Sequence, residues 1–165
     1  MREFSSLQSF ARHLSTLTAR VVLEQHRALT AAAVVVEHQA KSEIGSYQPA
    51  VGPFNAWAPL AGATVEDRVR KGFAPNDPLE RTRALADSIE HDVRGTSAYV
   101  GSESDVLLYQ DQGTETIPPR PVLGPALFIK QDRVAELIGA HTVAGLLHGS
   151  GALPFLALAK SEGKT

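Results

Sequence analysis

Six histidines and three pairs of neighbouring acids are the side chains of this sequence best suited to metal or acid–base chemistry. His141 and His148 lie seven positions apart and can share a helix face, but chelation from one helix favours a three- or four-residue step. His13, His26 and His38 match no ligand spacing and read as solvated or partner-facing; His91 is the sixth. Glu66 with Asp67, Glu90 with Asp92, and Asp111 with Glu115 are the acid clusters, and a hydrolase would need two of them to converge on a cleft. Nothing in the spacing forces that convergence, and solvated loop charges explain each pair. The string His148-Gly149-Ser150-Gly151 lacks the Gly-x-Ser-x-Gly pattern and the preceding strand of a nucleophile elbow. No Gly-rich phosphate loop of either common type is present. Arg68, Arg70 and Lys71, with Arg81 and Arg83, form a basic neighbourhood that suits phosphate, but interspersed acids favour a solvated face. No catalytic residue, metal ligand or cofactor site is therefore assigned.

Bulk properties narrow the classes further. A chain of 165 residues suits one domain with a real core. A formal net charge of −2 removes the bulk electrostatic argument for a nucleic-acid binder. The absence of cysteine excludes disulfides, thiolate zinc sites and cysteine nucleophiles. The first residues lack the apolar core of a signal peptide, and the longest apolar run, Ala31 to Val36, is too short to cross a bilayer. These features predict an intracellular, soluble product with no membrane partner.

The elements that must position these side chains follow from periodicity. From Arg2 to about Ile44 no proline or glycine intervenes, and Phe4, Leu7, Ala11, Leu14, Leu17, Val21 and Val22 recur mostly at helical steps. A helix of roughly forty residues extends about 60 Å at 1.5 Å per residue. It must bend or offer surplus apolar surface to another subunit. Val34, Val35 and Val36 mark a point where it can break, and Gly45 a stop. Gly45 to Gly62 reads as a loop, with Trp57, between Phe54 and Leu60, as an apolar pin. Thr64 and Asp67 suggest a capping box for a short polar helix through Lys71, ended by Gly72. Leu79 to Ser88 suits a second short helix with Leu79, Leu85 and Ile89 inward. Ile89 and Val93, then Arg94-Gly95-Thr96 and Ser97 to Gly101, predict an antiparallel hairpin. Ser104 can cap a helix carrying Val106, Leu107, Leu108 and Tyr109, closed by Gly113.

Gly113 to Ala126 is the stiffest stretch. Pro118, Pro119 and Pro121 fix φ and restrict the residues before them, so the backbone is largely ordered before any partner arrives. Arg120, held between prolines, presents a planar fork of five donors. The stretch reads as a docking element or as a rigid loop at a domain edge, and Ile117, Val122 and Leu123 suit an edge strand. Gln131 to His148 predicts a second amphipathic helix with Val134, Leu137, Ile138, Ala144 and Leu147 near one face. Gly149-Ser150-Gly151 reads as a joint, followed by an apolar patch, Leu153 to Leu158, and a polar end.

The expected architecture is α+β: a long N-terminal helix over 2–44, a loop over 45–62, an α+β core over 63–127 with a small antiparallel sheet and short helices, and a C-terminal helix over 131–148. Residues 1–148 form one domain and 149–165 a tail.

Taken in order, several segments resemble a known family. They are Phe54-Asn55-Ala56-Trp57-Ala58-Pro59-Leu60; Asp77-Pro78-Leu79 with Thr82 and Leu85-Ala86-Asp87-Ser88-Ile89; Val100-Gly101-Ser102; and Tyr109-Gln110-Asp111-Gln112-Gly113-Thr114 through Pro118-Pro119-Arg120-Pro121 and Leu123. Together, over about Lys41 to Leu127, they resemble the phage virion morphogenesis, or tail-completion and neck, proteins of long-tailed phages and Mu-like prophages. Thr82-Arg83 replaces the Thr-Gly usual in that family, and Val122 stands where an aromatic is usual. The resemblance implies a structural virion subunit without enzyme activity or cofactor, assembled in the host cytoplasm into a ring at the head–tail junction or tail end. The first choice is about six copies and the second about twelve, on the tail axis. Portal or adaptor, or tail-terminator and tail-tube proteins, would be its neighbours, with DNA passing through the lumen unread. A ring subunit pairs one face with a different face of the next copy. Arg120, Pro119, Pro121, Ile117, Leu123 and Tyr109, with Leu14 and Val21 of the first helix, are the expected contacts, with Arg120 hydrogen-bonding across. A small dimeric nucleic-acid-binding regulator, with the long helix as its seam, and a small hydrolase are the alternatives.

Overall fold

A single helix, α1 (Leu7–Glu43), accounts for 37 residues of the computed structural model, which describes residues 5–147. Ser6 starts it through a reciprocal box: its side chain accepts the Ser9 N–H at 3.1 Å, and Ser9 Oγ accepts the Ser6 N–H at 3.2 Å. The helix runs through Val34–Val36 unbroken, because packing outweighs weak propensity there. Ala28, Ala32, Ala33, Val36 and Ala40 are all buried, and small side chains let other elements approach closely. Nothing on α1 before Ala28 is buried, and Leu7 and Leu14 are 84% and 44% exposed. The surplus apolar surface expected of this helix thus lies in its N-terminal half.

The other elements are α2 (Gly62–Arg70), α3 (Ala84–Asp87), β1 (Ile89–Arg94), β2 (Ser97–Ser102), α4 (Asp105–Gln112) and α5 (Leu123–Leu146). The class is α+β, as the sequence predicts. The two strands pair antiparallel from Ile89 with Ser102 to Arg94 with Ser97, across a two-residue turn, Gly95-Thr96. Ile89, His91 and Val93 alternate with the exposed Glu90, Asp92 and Arg94. That alternation turns one face of the hairpin onto α1. α5 lies antiparallel along α1: Gly145 meets Val21 near one end, and Ala126 joins Val36, Ala40 and Ile44 in the core at the other. Trp57, Ala86, Ile89, Leu107 and Val122 complete that core, with Leu79, Leu85, Val100, Leu123 and Val134 packed against its margin.

Four expectations are corrected. Ile117, Val122 and Leu123 form no edge strand. Prolines remove three donors, Ile117 N–H binds Thr114 Oγ1, Arg120 N–H binds the Gln110 carbonyl, and the Val122 and Leu123 N–H groups point to Asp111. No donor remains for a ladder. α5 begins at Leu123 rather than 131, because Pro125 falls in the first turn, where its missing N–H is not needed. Along it, Leu137 and Ala144 are half-buried, whereas Ile138 is exposed and Leu147 lies exposed beyond the helix end. α2 starts at Gly62 with Ala61 as an uncapped N-cap. Asp67 sits in its second turn and binds cations instead of capping. Finally, Leu79 takes φ +64°, so the helix expected from Leu79 is confined to Ala84–Asp87. Leu79 and Leu85 still turn to the margin of the core and Ile89 enters it. Among the described residues, no helix is long and apolar enough to cross a membrane.

Candidate functional site

The proline-rich segment is clamped from two sides. On one side, Trp57 inserts from the 45–61 loop and donates its indole N–H to the Pro121 carbonyl at 3.0 Å. The apolar pin predicted from its neighbours therefore also carries a polar anchor. On the other, α4 holds the segment through its last turn. The Arg120 N–H reaches the Gln110 carbonyl at 2.6 Å, and Asp111 Oδ1 accepts the Val122 N–H at 2.7 Å and the Leu123 N–H at 3.4 Å. Val122 is the N-cap of α5 and cannot cap with its own side chain, so Asp111 does so from α4. Gly113, at φ +76° and ψ 174°, makes the bend between them. A Cβ there would meet the Ile117 carbonyl oxygen and the Pro119 nitrogen at 2.9 Å, in a conformation few residues other than glycine adopt.

Arg120 does not reach outward. Its side chain is 5% exposed. Nε and Nη2 donate to the Ala58 carbonyl at 3.2 and 3.0 Å, Nη2 also to the Pro59 carbonyl at 3.2 Å, and Nη1 to Gln110 Oε1 at 3.4 Å. Burial lowers its pKa from the ordinary guanidinium value, opposed by Tyr47. The cross-subunit bond expected of Arg120 is replaced by an internal one. The fork suits backbone carbonyls as well as carboxylates, and here it ties the loop, the proline segment and α4 together. Arg68 repeats the device on α2: it is buried and donates to the Ala74 carbonyl at 2.7 Å and to the Glu80 carbonyl.

The remaining expected contact residues divide between margin and surface. Ile117 and Pro121 are half-buried, Leu123 packs on the core margin, Pro119 is exposed and Tyr109 is 54% exposed beside the exposed Val106 and Leu108. Val21 lies under α5, and Leu14 is exposed two turns before it. Ile117 and Pro118, with Leu60, Leu79, Leu85 and Val106, line an open groove of about 570 Å³ whose wall contains Arg68 and Arg120. Both guanidiniums keep their charge, but backbone carbonyls occupy most of their donors, and Arg81, the third arginine of the lining, pairs with Asp67.

The groups singled out for chemistry lie apart. Asp67 gathers Arg70 at 2.6 Å, Arg81 at 2.9 Å and Lys71 at 3.0 Å, and the hydrogen bonds from Lys71 and Arg70 hold its carboxyl down at about 2. Glu90 and Asp92 stand on the outer face of β1, Asp111 caps α5, and Glu66 and Glu115 are exposed. Among the described residues, no group of three His, Cys, Asp or Glu side chains is placed to hold a metal ion. His148 and the Gly149-Ser150-Gly151 string lie outside the described residues.

Three polar features carry no local sequence signal. His141 Nδ1 meets Glu24 Oε2 at 2.7 Å and ties α5 to α1, and His91 of β1 pairs with Glu37. Glu43, in the last turn of α1, is 1% exposed; Oε1 accepts from Gln39 Nε2 at 3.2 Å, while Oε2 has no hydrogen-bond partner. Burial raises its carboxyl pKa to about 7. Long-range partners create the two histidine pairs and packing of other elements over the end of α1 buries Glu43, so only alternation on β1, which places His91 inward, foreshadows any of them.

Comparison with protein-family models, with curated proteins and with solved structures gives no match.

Proposed function

We propose that the chain is a structural subunit of a ring at the head–tail junction or tail end of a long-tailed phage. One observation carries this reading. The segments on which the resemblance rests, far apart in sequence, meet in one clamp: Trp57, Ala58 and Pro59 from the loop, Gln110 and Asp111 from α4, and Arg120 to Leu123 between them. The polar groups of the clamp are spent on one another, which suits a scaffold and leaves no array of free acids and bases. The clamp also fixes the direction in which α5 leaves the core and presents Tyr109, Val106, Leu108 and Pro119 on the outside. Ring closure requires two unlike faces per subunit. The exposed N-terminal half of α1 and the α4–proline surface supply two such faces.

The test is the mass of the purified protein across a wide concentration range, followed by electron microscopy. Closed rings of about six copies are expected. A monomer or dimer throughout, with nucleic-acid affinity that falls steeply with added salt, would instead favour the regulator.

A further inference from the structure

The open groove beside the clamp is lined by charge of one sign. Arg68, Arg81 and Arg120 contribute to its wall, and no aspartate or glutamate does. Arg81 reaches out to Asp67, but Arg68 and Arg120 form no ion pair among the described residues, although they are only 3% and 5% exposed. Buried charges are ordinarily matched by an opposite charge. The carbonyls that hold these two guanidiniums satisfy donors and leave the net charge in place, and the burial of Arg120 is offset by Tyr47 and by no acid. Donors also remain. Arg68 spends Nε on the Ala74 carbonyl and Nη2 on that of Glu80, and its Nη1 has no hydrogen-bond partner among the described residues. That nitrogen is not sealed in the interior, where Glu43 Oε2 alone of the described side-chain polar atoms lacks a partner. The groove is the open space that Arg68 lines, so Nη1 is reached from there. Nη1 of Arg120 holds only the 3.4 Å contact to Gln110 Oε1.

We propose that this groove binds a short segment of another protein in which one aspartate or glutamate stands between apolar residues. The carboxylate faces Arg68 and Arg120, a planar acceptor for the open edges of two planar forks. The flanking apolar side chains meet Leu60, Leu79, Leu85, Val106 and Ile117, which form much of the remaining wall. At about 570 Å³ the groove has the capacity for a few side chains. Within this chain only Glu136 stands between two apolar residues, and it lies inside α5, bound to Arg133. A second copy therefore offers no matching segment, and the occupant is a different protein. The groove adjoins the α4–proline surface, but its binding is a property of the single subunit and does not depend on the ring.

The test is an NMR titration of the isotope-labelled full chain, dilute enough to be monomeric, with three probes: the peptide acetyl-Leu-Asp-Leu-amide, its Leu-Asn-Leu counterpart and sodium phosphate. The aspartyl peptide should move the amide signals of Leu60, Leu79 and Ile117 to saturation. Its asparaginyl counterpart should bind at least about tenfold more weakly, the loss expected when a charge-assisted hydrogen bond goes. Equal binding of the two peptides, or no movement of the groove signals, would overturn the proposal. Phosphate that displaces the aspartyl peptide at equal concentration would also overturn it and leave a site for simple anions. A variant supplies the second check. Thr82→Glu with Thr116→Glu adds carboxylates at two exposed residues of the groove wall, outside the clamp. It should keep the parental melting temperature and bind the aspartyl peptide at least about tenfold more weakly, because like charges then face each other. Parental affinity in that variant would place the peptide elsewhere.

Discussion

The Asp111 carboxylate of α4 accepts the Val122 backbone N–H at 2.7 Å, so α5 is capped by a residue from another helix. One side chain thereby sets both the start of α5 and its orientation relative to α4. Negative charge at this position also favours the positive end of the helix. Asp111→Ala is expected to lower stability by about 1–2 kcal/mol, the usual range for a lost N-cap. Asp111→Asn should retain part of it, since the amide oxygen still accepts. Urea titrations of the three proteins measure both, and an alanine variant with an unchanged midpoint would remove the cap from the account.

Arg120 gives a second prediction, opposite to the one its position between prolines suggests. An arginine reaching a neighbouring subunit could be truncated with the monomer intact. The observed side chain is buried and satisfies the Ala58 and Pro59 carbonyls, so truncation strands both acceptors. Hydrogen bonds to charged groups contribute about 1.5–3 kcal/mol. Arg120→Ala should therefore destabilise the monomer by about 2–3 kcal/mol, and Arg120→Lys should recover little, because an ammonium cannot reproduce the fork. Thermal melts of the monomer decide between the roles: an Arg120→Ala melting temperature equal to that of the parent would restore the outward one.

What the sequence conveys divides along the range of the interactions involved. The long helix, the hairpin and the burial of Trp57 follow from local periodicity and from neighbouring apolar residues. The start of α5 does not, since Gly124-Pro125 reads locally as a breaker and its cap arrives from Asp111. The orientation of Arg120 depends on a carbonyl 62 positions away, which no spacing rule encodes. Asp67 illustrates the converse: its position after Thr64 imitates a capping box, but Arg81, fourteen positions on, and its helical neighbours draw the carboxylate outward. The contact residues expected on the proline segment and the first helix are instead divided between an internal clamp, the margin of the core and the surface.

Glu43 predicts a dependence on pH. Its carboxyl is raised to about 7 by burial, at the end of a helix where the dipole also disfavours negative charge. In the unfolded chain it titrates near 4.3. Between these values the folded state holds a proton that the unfolded state has lost. Stability from this group is therefore complete below about pH 4.3 and declines as pH rises to about 7. The decline amounts to at most about 3–4 kcal/mol. Glu24, Glu37 and Asp67 are held below their ordinary values and act in the opposite sense, losing their contribution as pH falls. Glu43→Gln leaves those groups in place, so the difference between the two proteins isolates Glu43. The variant should gain stability relative to the parent as pH rises from 4.5 to 8, and a constant difference across that range would show that Glu43 does not titrate on folding.

Tyr109 separates assembly from folding. It projects from α4 at 54% exposure, next to a clamp whose interior is already satisfied, so replacing it disturbs little inside the subunit. Tyr109→Glu should change monomer stability by no more than about 0.5 kcal/mol, as surface substitutions usually do. If the α4–proline surface meets a neighbouring copy, the same change places a charge in a desolvated contact. Such a burial costs at least about 1.4 kcal/mol per interface, equivalent to a tenfold higher concentration for association. A ring multiplies that penalty, because every copy carries the change and closure engages every interface. Sedimentation velocity over a concentration series should therefore show assembly lost while circular dichroism and melting remain those of the parent. Assembly at the parental concentration would place Tyr109 outside the contact and leave the N-terminal half of α1 as the face to test next.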